Sequence, residues 1–261
     1  MSNQGQPSEQ EQAPPEASTS DQGKFTALFS YFKSHPYDVV LAVTRLLTLV
    51  YSFGYVFPFF MNPQDCYFKA LASNAATSAL RLNQRAPPFQ LSQIYFAQLL
   101  LEDSAHYLFY SLTFIYSPPL TLVLLPVALF AILNFSHASS AWLAQLNEND
   151  LQIGRKLIGF IEAQRVNILR LIAYTLIVFL RLCIILGINS TFGILKIFMY
   201  YRFLSLRYSS RRNPYTRNSF TEFRIVFEQL ANNPRCPTFI RSLIHRSISF
   251  ISRLAPMTVP T

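Results

Sequence analysis

The stretch VVLAVTRLLTLVYSFGYVFPFF, from Val39 to Phe60, carries Arg45 as its single charge. About 20 apolar residues in a helix, rising 1.5 Å each, cross the roughly 30 Å hydrocarbon core of a bilayer. Pro58 and the pair Asn62-Pro63 mark the end of this helix. A stretch of the same kind, VNILRLIAYTLIVFLRLCIILGI, runs from Val166 to Ile188 with only Arg170 and Arg181 as charges. Between the two, the run from Ile94 to Tyr116 holds Glu102, Asp103 and His106 in its middle. Ser117-Pro118-Pro119 breaks that run, and apolar sequence resumes from Leu120 to about Phe135, with Pro126 expected to kink it. The pair is predicted to form a helical hairpin. These runs specify an all-α, polytopic membrane protein with three to four hydrophobic spans or hairpins, followed by C-terminal amphipathic helices.

Composition supports that class. Of 261 residues, 51% are hydrophobic and 13% charged, about half the charged share of soluble proteins, so much of the surface must face something other than water. The cysteines, Cys66, Cys183 and Cys236, form no CxxC and no paired spacing, which predicts reduced thiols rather than disulfides. G-x-S-x-G, P-loop and G-x-G-x-x-G motifs are missing, so no soluble catalytic signature is present and no enzyme is expected.

Three regions follow. Residues 1–23 contain Glu9, Glu11, Glu16 and Asp21 and no basic residue, in a Gln-, Pro- and Ser-rich context that cannot bury a core and is expected to be disordered. No basic n-region precedes a short apolar stretch there, so insertion is expected to depend on the first internal helix. Residues 24–206 form the helical membrane domain, including an Ala- and Ser-rich helix over Phe68–Arg85 that lies against the membrane or packs on another helix. A more polar helix is expected over Leu151–Arg165, and Phe192–Leu206 reads as a shallow or re-entrant helix. Residues 207–261 form a basic tail. Arg202 to Arg253 contains ten arginines against Glu222 and Glu228, a balance that attracts anionic lipid headgroups.

The tail holds the sharpest signal. Around a helix from Phe239 to Leu254, Phe239, Ile240, Leu243, Ile244, Ile248, Phe250, Ile251 and Leu254 gather on one side. Arg241, Arg246 and Arg253 fall with serines on the other. Bulky apolar residues opposite arginines suit a helix lying in the plane of a membrane surface. The competing occupant of this face is the protein's own helices. A second helix, Thr216 to Ala231, spaces Phe220, Phe223, Phe227 and Leu230 by three and four, and its partner is protein or lipid. Arg207, Arg211 and Arg212 form a basic cluster that suits headgroup phosphates or an import receptor, or else an ordinary positive-inside flank.

The arginine-dense end is expected in the cytosol. Four spans put the N-terminus there too but leave Lys69, Arg81 and Arg85 in the lumen. Three spans remove that conflict and move the N-terminus to the lumen. We take four as the expectation. The sequons at Asn134 and Asn189 lie at edges of apolar runs and are expected to stay unused. Within the spans, Arg45, Arg170 or Arg181 is expected to neutralise Glu102 or Asp103, because a buried charge needs a partner. A proton relay through Glu102, Asp103 and His106 is the alternative, and with it an ion channel or transporter, although no internal repeat of the transporter kind is visible. No H-E-x-x-H accompanies the cluster, so neither metal nor cofactor is expected.

Five strings carry a family resemblance: LASNAATSALRLNQR (Leu71–Arg85), FQLS (Phe89–Ser92), LLLEDSAHYLFYSL (Leu99–Leu112), YYRFLSLRYSSRRNPY (Tyr200–Tyr215) and SFISRLAP (Ser249–Pro256). Together they resemble the transmembrane protein 33 family, also called the Krüppel homologue 2 family, which includes fungal pore-membrane proteins. The likeness covers nearly all of the chain after about Val39 and is weakest over Ala138–Val166. It implies residence in the endoplasmic reticulum and nuclear envelope, interaction with reticulon-type tubule shapers, restraint of tubulation, and a link to nuclear pore components or stress signalling. It implies no enzymatic activity. Lipid bilayer and anionic lipids are the partners expected from the residues themselves; nucleic acid is not expected.

Overall fold

The computed structural model describes residues 29–30, 32–59, 61–88, 90, 92–144, 151–187, 193–210 and 213–254. The predicted disordered tail, residues 1–23, lies outside them, as do Arg211 and Arg212. Among the described residues the secondary structure is helical, with no strand.

Local chemistry sets the helix ends. Helix α1, Pro36–Val56, starts with proline at its first position and stops where Phe57, which precedes Pro58, leaves the helical region of backbone space. Helix α2, Pro63–Arg85, is capped by Asn62, whose side-chain oxygen accepts the Gln64 N–H at 2.9 Å. Asp65 in its first turn and Arg85 in its last complement the helix dipole. Helix α3, Gln93–Leu99, is capped by Ser92, and α4, Asp103–Phe114, begins after a break at Leu100–Glu102. Helix α5, Thr121–Leu143, follows the Pro118-Pro119 turn and continues through Pro126. Then come α6 (Gln152–Ala163), α7 (Arg165–Gly187), α8 (Gly193–Ser209), α9 (Tyr215–Asn232) and α10 (Thr238–Leu254).

Among the described residues, three helices are long and apolar enough to cross a membrane: Pro36–Val56, Thr121–Leu143 and Arg165–Ile184. The first of them, α1, packs its polar side inward, whereas α5 and α7 bury mainly apolar residues. On α1 the buried positions are Leu41, Ala42, Arg45, Thr48, Ser52 and Gly54, while Val43, Leu46, Val50 and Phe53 are exposed. Lipid is as apolar as leucine, so helices associate through small and polar residues and turn their aliphatic side chains outward. Thr77 on α2 donates to Thr44 on α1 at 2.8 Å, and Asn74 on α2 donates to Ser111 on α4 at 2.8 Å.

The middle of the bundle is aromatic. Tyr110 and Phe114 of α4, Phe179 of α7, and Tyr200 and Phe203 of α8 interlock with ring centroids 4.9 to 6.2 Å apart. Three buried tyrosine hydroxyls find carbonyls: Tyr110 donates to Val123 at 3.0 Å, Tyr200 to Leu176 at 2.7 Å and Tyr67 to Phe114 at 3.3 Å. That satisfaction is obligatory where water is excluded.

Three expectations need correction. The run from Ile94 to Tyr116 is not one span. It divides at Leu100–Glu102, because this break puts Asp103 in the first turn of α4, beside the cations described below. Its hairpin partner α5 reaches Leu143, well past Phe135. The stretch from Phe192 to Leu206 is not peripheral to the bundle: within it, Tyr200, Phe203 and Leu204 of α8 are core residues. The Ala- and Ser-rich α2, for its part, packs on α1 and α4.

α1, α4 and α7 begin at the same end of the bundle where α2, α5 and α8 finish. Phe32, before α1, meets Trp142 near the end of α5 at 5.3 Å, and Arg85 ends α2 beside Glu102. At the opposite end Tyr55 contacts both Tyr67 and Thr121. α2, α5 and α8 thus return the chain to one charged end.

Candidate functional site

Two features stand out: a cavity at the charged end and a helix face left uncovered. The cavity measures about 230 Å³ and lies between α1, α2, α4, α5, α7, α8 and the start of α9. Five arginines line it, Arg45, Arg81, Arg85, Arg165 and Arg207, with Asp103 as the carboxylate on its wall. Thr48, Asn74, Thr77, Ser78, Ser104, Asn134 and Asn213 add polar groups.

Arg207, 1% exposed, donates to Asp103 at 3.1 Å, and its guanidinium sits over the Tyr107 ring at 4.9 Å and the Phe130 ring at 5.7 Å. Ser210 also donates to Asp103, at 2.8 Å. Arg85 approaches Glu102 at 3.7 Å, and Arg165 pairs with Glu162 at 3.2 Å. Arg45 donates to the Asn134 carbonyl at 3.1 Å, and Arg81 donates to the Asn134 side-chain oxygen at 3.1 Å. Among the described residues neither Arg45 nor Arg81 meets a carboxylate within ion-pair range. Burial, and then the nearby Arg85, pulls the Arg81 guanidinium below its ordinary pKa. His106, 1% exposed, donates through Nε2 to the Leu100 carbonyl at 2.7 Å, one of the groups freed by the break before α4. Burial is the main cause of its lowered pKa, so the neutral ring is favoured.

The predicted pairing of buried charges holds in kind but with different partners. Arg207 and Arg85 take Asp103 and Glu102, while Arg45 turns to Asn134. Arg170 and Arg181 are exposed on α7, and Arg181 stands over the Phe227 ring of α9 at 5.2 Å. Arg207 is therefore withdrawn from the expected headgroup cluster: it is a buried structural cation, and α8 carries it into the bundle. Sequence reasoning missed Arg81, Asn134 and Arg165 as cavity residues. The signal was there on α2, where Asn74, Thr77, Ser78, Arg81 and Arg85 recur at helical spacing among alanines and leucines.

The tail helices differ from each other. The phenylalanines of α9 are half-buried against the chain itself, while Leu230 is exposed: Phe223 stands edge-on to Tyr174 of α7 at 5.3 Å, and Phe220 meets Tyr208 of α8 at 5.7 Å. Glu222 accepts a hydrogen bond from Tyr174. On α10 no residue is buried. Phe239 is 76% exposed and Phe250 63%, with Ile240, Leu243, Ile251 and Leu254 also exposed and Ile244 and Ile248 half-buried. Arg241, which donates to the Ala231 carbonyl at 2.9 Å, and the Leu254 carbonyl, which accepts from Tyr201 at 2.9 Å, hold its two ends. Arg246 and Arg253 are exposed.

Helices long and apolar enough to cross a membrane, packed with other helices and no strand among the described residues, define an all-helical, polytopic membrane protein. Residues 20–257 match the model of the family described as Transmembrane protein 33/Nucleoporin POM33, and the chain belongs to that family. It is 43% identical to human Transmembrane protein 33 over 232 residues, which cover 88% of this chain and 94% of the relative. Krueppel homolog 2 of Drosophila melanogaster is 40% identical over 89% of this chain and 84% of its own length. The Transmembrane protein 33 homolog of Caenorhabditis elegans is 37% identical over 89% and 86%. No solved structure matches.

Proposed function

We propose that this chain is a non-enzymatic protein of the endoplasmic-reticulum membrane and nuclear envelope that organises membrane shape, with α10 seated in the cytosolic leaflet. The observation that carries the proposal is the uncovered apolar face of α10 beside Arg241, Arg246 and Arg253. Burying such a face recovers about 25 cal/mol per Å² of apolar surface, and each arginine near an anionic leaflet adds about 1 kcal/mol. A helix inserted into one leaflet expands that leaflet and favours curvature. Restraint of reticulon-driven tubulation and support of nuclear pore assembly or stress signalling fit this reading. The name Nucleoporin POM33 within the matched family supports the nuclear-envelope part.

The test replaces Ile244 and Ile251 by glutamate in the full-length, fluorescently tagged chain, beside flotation of a Pro237–Pro256 peptide on vesicles. The wild-type peptide is expected to float with acidic vesicles and the double variant to stay behind. In cells the variant is expected to alter tubule density and nuclear-rim enrichment. A wild-type peptide that fails to float on acidic vesicles, or a variant protein that leaves tubules and rim unchanged, refutes the tail mechanism.

A further inference from the structure

Among the described residues, the charged-end cavity holds more positive charge than carboxylates neutralise. Arg85, Arg165 and Arg207 each have a carboxylate, but Arg45 and Arg81 share only the uncharged Asn134. Arg45 is 6% exposed, and its Nε is buried with no acceptor; the buried Nε of Arg207 is likewise unpartnered. Guanidinium groups keep their charge in proteins, so two cations held together out of water repel each other and lack solvation. A bound anion removes both penalties.

We propose that this cavity binds a phosphate group, carried by an anionic lipid headgroup or free in solution. The charge matches, since a phosphate monoester brings close to two negative charges at neutral pH, and Arg45 and Arg81 are the two uncompensated cations. The donor chemistry matches too. Guanidinium forks fit phosphate oxygens in paired hydrogen bonds, and the unpartnered Nε atoms of Arg45 and Arg207 stand ready to donate. Asp103 on the wall is already neutralised by Arg207 and so does not repel the ligand. The volume, about 230 Å³, lies just below the roughly 300 Å³ where sites for drug-sized molecules begin, which suits a single compact headgroup. Position matters as well: Arg165 opens α7 at the bundle end, whereas Arg45 sits more than two turns inside α1. The site therefore reaches inward from the level where lipid phosphates lie.

The test is thermal unfolding of the full-length protein in a neutral detergent, titrated at constant ionic strength with inorganic phosphate, with short-chain phosphatidic acid, or with short-chain phosphatidylcholine. A ligand that binds only the folded state raises the melting temperature in a saturable way. Saturation by phosphatidic acid but not inorganic phosphate assigns a lipid headgroup; saturation by both shows that the phosphate group alone suffices. Arg81→Gln is expected to weaken the apparent Kd at least tenfold, while Arg224→Gln on the exposed side of α9 leaves it unchanged. Asn134→Asp keeps both arginines and supplies the missing carboxylate, so it too should blunt the response at least tenfold should Arg81→Gln fail to fold. No saturable shift beyond matched chloride, or a shift retained in Asn134→Asp, overturns the proposal.

Discussion

Removing the charge of Asp103 should damage this protein more than removing the charges of both Asp103 and Arg207. Arg207 lies 3.1 Å from the carboxylate and is 1% exposed, so at an effective dielectric of about 20 their attraction is about 5 kcal/mol. Asp103→Asn strands that cation among Tyr107 and Phe130, where breaking a buried pair costs about 3–5 kcal/mol. For a chain of this size that corresponds to a melting temperature lower by about 6–20 °C. Arg207→Met is milder, because Asp103 is 26% exposed and still accepts from Ser210. Asp103→Asn combined with Arg207→Met removes both charges and leaves methionine against the two rings, so it should recover at least half of the Asp103→Asn loss. Thermal unfolding of the three variants, purified in one detergent, reads the order directly. A double variant that melts below Asp103→Asn would refute the account, because it would show that Arg207 contributes packing rather than a charge in need of a partner.

His106 predicts a pH dependence. Its pKa is lower in the folded chain than the ordinary value near 6.5, so the neutral ring contributes stability that is fully present above pH 6.5 and lost as pH falls below it, with a limiting slope of about 1.4 kcal/mol per pH unit. His106→Gln should flatten that slope in melting curves taken between pH 7.5 and 5. Gly54 of α1 lies tight against α2: a Cβ there would stand 3.1 Å from Cys66 Sγ. Gly54→Ile should separate the two helices and cost about 1–3 kcal/mol, and an unchanged melting temperature would show that the helices part freely.

Much of the fold was legible because hydrophobic length is a local property. Val166–Ile188 found its helix to within one residue at each end and Val39–Phe60 to within four, since no neighbour is needed to satisfy backbone groups inside a helix. The run from Ile94 to Tyr116 failed as a span for a non-local reason. Its length and apolarity allow a crossing, but Asp103 is drawn to Arg207 and Ser210, more than a hundred residues away, and the helix restarts at that carboxylate. The same limit governed the ion pairs. That Glu102 and Asp103 needed cations followed from their surroundings in the sequence, while the choice of Arg85 and Arg207 over Arg170 and Arg181 depended on which helix faces met.

The sequence by itself determined the class of protein, the three long apolar helices, and the amphipathic character of the two tail helices, because each follows from the order of side chains along a single helix. Tertiary structure alone decided that the phenylalanines of α9 pack on the bundle while the apolar face of α10 stays open, that Arg207 is an interior residue rather than part of a surface cluster, and that five arginines converge on one cavity. These outcomes depend on distances between elements far apart in the chain. A periodicity shows which face of a helix is polar or apolar, but only packing shows what that face touches.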